Sequence, residues 1–175
     1  MQQTLKPTFP QQHQDRQPGL EKRMDPKPQY DDPNYKAAGK MNGMRAVVTG
    51  GDSGIGRSAA LYFAKEGADV AVLYLNENQD AAQTQKDIEA LGRKCLLFPV
   101  DLKSEDQARA AVERAVEQLG GIDVLVNNAG VQYPQNSIMD ISREQLLNTF
   151  ESNIFSYFYV TKAPGSIWGS AALVT

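Results

Sequence analysis

The sequence has very little with which to build a crosslink or a metal site. Cys95 is its only cysteine and His13 its only histidine. One thiol forms no internal disulfide, and without a Cys/His cluster no zinc set can form, so no metal is expected. The scarcity fits a reducing compartment, and a cytoplasmic location is expected. Cys95 opens the apolar run Cys95-Leu96-Leu97-Phe98 and reads as a buried thiol, since no histidine is at hand to activate it. Positive charge is not in excess. The 18 Lys and Arg residues stand against 21 Asp and Glu, for a net charge of −3, which leaves no basic stripe for a nucleic acid. No apolar run approaches the roughly 18 residues of a membrane span. The opening Met1-Gln2-Gln3-Thr4-Leu5-Lys6 lacks the apolar stretch of a signal peptide. Neither a nucleic acid nor a membrane is an expected partner.

What is present is enough for one soluble domain with a sizeable core: 175 residues, 41% of them hydrophobic and 22% charged. Composition changes near residue 43. Six of the nine prolines lie at positions 7, 10, 18, 26, 28 and 33, among glutamines and sparse apolar residues. Such a stretch cannot offset its ordering entropy with a core of its own. Residues 1–43 therefore read as an extended arm. It is either a disordered tail or a strap on the domain or a neighbouring subunit, with Leu20, Met24 and Tyr30 as candidate anchors.

Residues 44–175 alternate strand and helix patterns. Arg45 to Thr49, Val70 to Leu75, Cys95 to Val100 and Ile122 to Val126 are short apolar runs. Between them, Ile55 to Glu66 and Gln79 to Leu91 read as helices closed by Gly67 and Gly92. Ser104-Glu105-Asp106-Gln107 reads as a capping box, opening a helix with Ala108, Ala111, Val112, Ala115, Val116 and Leu119 on one face. A second box, Ser142-Arg143-Glu144-Gln145, opens a helix that can run to about Lys162, and Ser170 to Thr175 looks like the start of a fifth strand. The expected class is α/β: a Rossmann-type doubly wound parallel sheet, incomplete at about five strands, with an extended N-terminal arm. In such sheets ligands bind beyond the carboxyl ends of the strands.

The first of those ends carries Thr49-Gly50-Gly51-Asp52-Ser53-Gly54-Ile55-Gly56. Gly50 allows a tight turn, Gly54 lets backbone approach a pyrophosphate, and Gly56 lets the helix pack close to the sheet. The free N–H groups of the helix would face the phosphates. The spacing is T-G-x-x-x-G-I-G rather than G-x-G-x-x-G. In that respect the chain resembles the short-chain dehydrogenase/reductase family, and further motifs agree. Asp101-Leu102 follows the third strand, Asn127-Asn128-Ala129-Gly130 follows the fourth, and Asn153 lies in Ser152-Asn153-Ile154-Phe155. T-G-G-D-S-G-I-G, the strand end Tyr74-Leu75-Asn76-Glu77 and the arm segment Gln17 to Pro26 resemble a bacterial subgroup of uncharacterised or stress-associated oxidoreductases.

The resemblance implies an NAD(P)-dependent oxidoreductase moving a hydride between nicotinamide and an alcohol or carbonyl substrate. It also implies a homo-oligomer, a tetramer, for the complete protein. It places the dinucleotide on Gly50, Asp52, Ser53, Gly54, Ile55, Gly56, Tyr74, Asp101, Leu102, Asn128, Ala129 and Gly130, and makes Asn153 a supporting member of the catalytic set. NAD is expected over NADP, because Asp52 and Glu77 would repel a 2′-phosphate and no Lys or Arg follows the second strand. Against this stand Arg57 nearby and the lack of an aspartate ending that strand.

The family's catalytic serine and Tyr-x-x-x-Lys are missing. None of Tyr30, Tyr35, Tyr62, Tyr74, Tyr133, Tyr157 and Tyr159 has lysine four residues on, and Lys162 follows Phe158 by four. Truncation is the simplest account. An internal deletion after Lys162 is the other, since Ala163 to Trp168 resembles a later segment of the subgroup. The chain as written is expected to be inactive. The second class of reading is a non-catalytic dinucleotide-binding module; a methyltransferase is disfavoured by the glycine spacing and the N-N-A-G.

Overall fold

The computed structural model describes residue 14, residues 21–163 and residues 172–174. Five parallel strands form one sheet: β1 (Arg45–Thr49), β2 (Asp69–Tyr74), β3 (Cys95–Pro99), β4 (Val124–Val126) and β5 (Ala172–Val174), in the order β3-β2-β1-β4-β5. The order reverses beside β1, so the carboxyl ends of β1 and β4 diverge into loops that leave a crevice between them. Among the described residues five helices connect the strands: α1 (Gly54–Lys65), α2 (Asn78–Glu89), α3 (Glu105–Leu119), α4 (Arg143–Phe150) and α5 (Ser156–Lys162).

Strand residues alternate between two cores. Val48, Val70 and Val72 pack with Ala60, Leu61 and Ala64 of α1 and Ala81 and Ile88 of α2. Val47, Ala71 and Leu73 face the other way, onto Ala108, Val112 and Ala115 of α3 and Val160 of α5. Both faces are covered, which is why the strands read as continuous apolar runs. Cys95 is buried in the first core, and burial pushes its thiol up to about 12, the inert thiol expected.

Helix ends follow the sequence signals with two departures. Ser142 and Gln145 form the full reciprocal capping box on α4. Ser104 is only half of one: its hydroxyl accepts from Gln107 N–H at 3.4 Å, while its own N–H goes to the Asp101 carbonyl at 3.2 Å. The helix expected from Ser142 to Lys162 is continuous but not regular, because Glu151–Phe155 forms a wide π turn between α4 and α5.

The arm lies along α1 over residues 21–43. Tyr30 packs against the first core and under Arg57, whose guanidinium carbon is 3.6 Å from the ring centroid. Met24 is half-buried, and Leu20 lies outside the described residues, as do 164–171, on which the deletion reading rests. Most of the attachment is polar. Glu66 accepts from Ala38 N–H at 3.0 Å, from Lys40 N–H at 2.8 Å and from the Tyr35 hydroxyl. The Tyr35 hydroxyl and those N–H groups hold the Glu66 carboxyl down to about 2. Further along, Met41 N–H donates to the Glu66 carbonyl at 3.0 Å, and Asp32 N–H to the Tyr62 hydroxyl at 2.9 Å.

Candidate functional site

The loop after β1 turns back at once because Gly50 takes φ +62°, and a Cβ there would come within 3.0–3.1 Å of Asn128 and Ala129. Gly56 sits beneath it. A Cβ on Gly56 would fall 2.1 Å from the Gly50 carbonyl oxygen, so only glycine lets α1 start this close to the sheet. Gly54, at φ +54°, is different: a Cβ there meets nothing within 4 Å. Gly54 faces open space, which a ligand can approach.

That space is a cleft of about 530 Å³ at the carboxyl ends of the strands. Gly50, Asp52, Ser53, Gly54, Ile55, Tyr74, Asp101, Leu102, Asn128, Ala129 and Gly130 all line it. Gly56 supports the loop from below and does not line the cleft. Asp101 does two things, lining the cleft and holding the turn before α3 through Lys103 N–H at 3.0 Å. Buried Tyr74 donates to Asn78 Oδ1 at 2.8 Å.

A single hydroxyl ties the two sides of the crevice. Fully buried Thr49 donates to the Val126 carbonyl at 3.2 Å and accepts from Asn128 N–H at 2.9 Å and Ala129 N–H at 3.0 Å. Asn128 Nδ2 returns to the Thr49 and Gly50 carbonyls at 3.0 and 3.2 Å. The N-N-A-G residues thus hold the glycine loop in place besides lining the cleft. Thr49→Val keeps the shape and strands these partners, so we expect a loss of roughly 3 kcal/mol in denaturant unfolding. A loss below about 1 kcal/mol would mean that the loops are held by other contacts.

Asn153 does not line the cleft. Its carboxamide clamps one residue from both sides, accepting from Val131 N–H and donating to the Val131 carbonyl, each at 2.8 Å. It sits in the π turn, where the extra residue widens the helix. It braces the loop after β4 against the α4–α5 run. Lys162 points elsewhere, its Nζ 3.1 Å from Glu105 of α3.

Charge in the cleft is mostly negative. Burial raises the Asp52 carboxyl to about 6, with the charges of Asp80, Glu77 and Glu21 pushing the same way. Lys103 lines the cleft but is drawn across it to Asn148 Oδ1, at 3.1 Å. The other end of that amide donates to the Tyr133 hydroxyl. Sequence reasoning missed Lys103, Tyr133, Asn148 and Ser152. The i, i+4 spacing of Asn148 and Ser152, one residue short of Asn153, was a usable signal. Glu21 of the arm, whose carboxylate accepts from Gly54 N–H at 2.6 Å, carried none. Among the described residues no cluster of His, Cys, Asp or Glu could hold a metal, and no helix is long and apolar enough to cross a membrane.

Comparison with known proteins agrees with this geometry. The chain is 54% identical over 151 residues to the uncharacterized oxidoreductase YhdF of Bacillus subtilis, covering 86% of this chain and 52% of that protein. It is 52% identical over 154 residues to general stress protein 39 of the same organism, covering 88% and 54%. It therefore spans about half the length of the curated relatives it matches. A short chain dehydrogenase from Burkholderia cenocepacia in complex with NADP superposes with a TM-score of 0.71 at 35% identity, over 74% of this chain and 53% of that one. Carveol dehydrogenase from Mycobacterium avium in complex with NAD gives 0.67 at 28% identity, over 71% and 49%. The family model described as short chain dehydrogenase matches residues 44–167, and with this sheet, glycine loop and asparagine loop the chain belongs to the short-chain dehydrogenase family.

Proposed function

We propose that this chain is the dinucleotide-binding portion of an NAD(P)-dependent oxidoreductase acting on an alcohol or carbonyl compound. The observation that carries the reading is the glycine loop: Gly54 opens onto the cleft while Gly50 and Gly56 bring α1 against the sheet. The residues fit the cofactor. The N–H groups of the first turn of α1 beyond Gly54 would hold the pyrophosphate, Asp101 and Leu102 the adenine end, and Asn128 to Gly130 the ribose next to nicotinamide. Bound there, the nicotinamide supplies the hydride. NAD is preferred over NADP, because Asp52 and Glu77 bring negative charge to the adenosine side.

The chain's own residues do not complete the acid–base machinery. Reducing a carbonyl needs a proton donor within hydrogen-bond reach. Asn153 is a brace, and its amide cannot give up a proton at neutral pH. Tyr133 lines the cleft and its hydroxyl accepts from Asn148, but Lys103, the cation that would ready a phenol to give up its proton, meets only the far end of that amide. Residues 1–175 should bind the dinucleotide and turn nothing over. The complete protein is a homo-oligomer, a tetramer, working in the cytoplasm. The α4–α5 run presents an apolar face for such contacts, with Leu146, Phe150, Ile154, Phe155 and Phe158 each at least 41% exposed.

The test is one preparation of residues 1–175. Calorimetric titration should give saturable binding of NAD. Incubation of NADH with aldehydes, ketones and sugars should leave its absorbance unchanged. Sedimentation should show self-association that Phe158→Glu weakens. Absence of dinucleotide binding by a folded chain would remove the reading. Steady turnover would mean that Tyr133 or another group does what we assign elsewhere.

A further inference from the structure

The arm delivers a carboxylate to the lip of the cleft. Glu21 Oε1 accepts from Gly54 N–H at 2.6 Å, and Oε2 accepts from Arg57 Nη1 at 2.9 Å. The side chain is held, at 12% exposure. Both terminal nitrogens of Arg57 are engaged in turn. Its other terminal nitrogen donates to Asp87 Oδ2 at 2.9 Å, its face covers Tyr30, and its Nε is buried without a partner among the described residues. The cation nearest the glycine loop is thus tied to two carboxylates and shielded by the arm. Lys103, the cation that lines the cleft, is bound to Asn148 of α4.

Position decides what this cluster does. Arg57 and Asp87 lie on α1 and α2, which cover the same face of the sheet as Val70 and Val72 of β2. In dinucleotide folds the adenosine ribose is read on the β2 flank of the glycine loop, by an acid that takes its hydroxyls or a cation that takes its phosphate. Here β2 runs into Tyr74-Leu75-Asn76, with no acid at its end and no cation. Asp52 and Glu77 bring negative charge to this side, and the arm adds Glu21 to them. Glu21 already fills the place an anion would take at the first N–H of α1.

We propose that Glu21 is a specificity-determining residue: its carboxylate occupies the anion position at the start of α1 and holds Arg57, so that a 2′-phosphate on the adenosine ribose meets negative charge where it needs positive. This rests on the dinucleotide reading above. It assigns the arm a part in choosing the cofactor, beyond attachment to the domain. Removing the carboxylate releases the Gly54 N–H and one edge of the Arg57 guanidinium, the two donors a phosphate would use.

The experiment titrates residues 1–175 with NAD, NADP and 2′,5′-ADP by calorimetry, in the wild-type chain, Glu21→Gln and Glu21→Ala. The first variant removes only the charge; the second also vacates the site. Thermal melts establish that each is folded. Wild type should bind NAD more tightly than NADP. Both variants should bind NADP and 2′,5′-ADP on the order of tenfold more tightly, with NAD changed by less than about twofold. The gain should shrink at about 0.5 M salt, as an interaction between charges must. NADP affinity unchanged in both variants overturns the proposal. So does an equal gain for NAD, which would place Glu21 in competition with the pyrophosphate instead. Tighter NADP than NAD binding by the wild-type chain also overturns it. Each of these leaves the dinucleotide reading standing, whereas failure of folded wild type to bind either cofactor removes both.

Discussion

Gly56→Ala is expected to destabilise the chain by about 3 kcal/mol or more and to abolish dinucleotide binding. The added methyl would fall 2.1 Å from the Gly50 carbonyl oxygen and 2.5 Å from Asn128 Nδ2. Neither can yield cheaply. The first is backbone at a positive-φ turn, and the second is already bonded to the Thr49 and Gly50 carbonyls. Relief requires the loop to lift from α1 by about an ångström, a displacement that close-packed surroundings resist. That motion breaks the Thr49 and Asn128 bonds that tie the loop after β1 to the loop after β4, and the start of α1 leaves the position from which it faces the cleft. Gly54→Ala is the control: a Cβ there meets nothing within 4 Å, so its cost is the left-handed φ alone, roughly 1–2 kcal/mol. Thermal melts and calorimetry on both variants read the two effects separately. A Gly56→Ala chain that melts and binds like wild type would show that α1 does not depend on this approach.

Asp52→Asn should stabilise the chain at pH 7.5 and have no effect near pH 3.5. Burial raises the Asp52 carboxyl from 3.8 to about 6, so the folded chain holds this proton more tightly than the unfolded chain does. Between those values the folded state binds more protons, and stability falls as pH rises. Above about 6 the penalty is complete, and below 3.8 it is absent. That difference corresponds to roughly 3 kcal/mol, and partial hydration of the loop brings the expected gain to about 2 kcal/mol. Asparagine keeps the shape and removes the buried charge. Denaturant unfolding at the two pH values checks this; equal effects at both would mean that the substitution acts through packing. The retention of a destabilising carboxylate beside the cleft is itself informative, since a buried charge of this kind is a cost that a functional site carries.

The strands, the core and most of the cleft were legible because they obey local rules. The alternation of Val47 and Val48, or Ala71 and Val72, between two cores follows from strand periodicity and needs no knowledge of partners. The glycine and asparagine loops were legible because each is a contiguous motif at the end of a strand. What was hidden depends on distance along the chain. The π turn at Glu151–Phe155 leaves no mark on helix propensity and is fixed by Asn153 reaching back to Val131. Ser104 looked like a full capping box because the pattern was present, but Asp101 three residues earlier took the N–H that the reciprocal bond needed. In the arm, apolar residues were the natural anchors to seek, yet Glu66, Arg57 and Lys65 hold it as much as Tyr30 does. Polar anchoring has no period and cannot be read from spacing.

The arm touches both ends of α1: Glu21 bonds the first N–H of the helix, and Ala38, Lys40 and Met41 donate their amides to the residue that closes it. A helix splinted in this way cannot fray from one end while the other stays closed. Opening it means lifting the strap as well, so the arm and the helix form one cooperative unit in hydrogen exchange. The amides of Ala38, Lys40 and Met41, though in a stretch with no regular structure, should exchange with the same protection as the α1 amides near Glu66. Proteolytic nicking in the same stretch should require that shared opening. Residues 21–43, which composition left open between a tail and a strap, therefore behave, on the timescale of exchange, as part of the first βαβ unit.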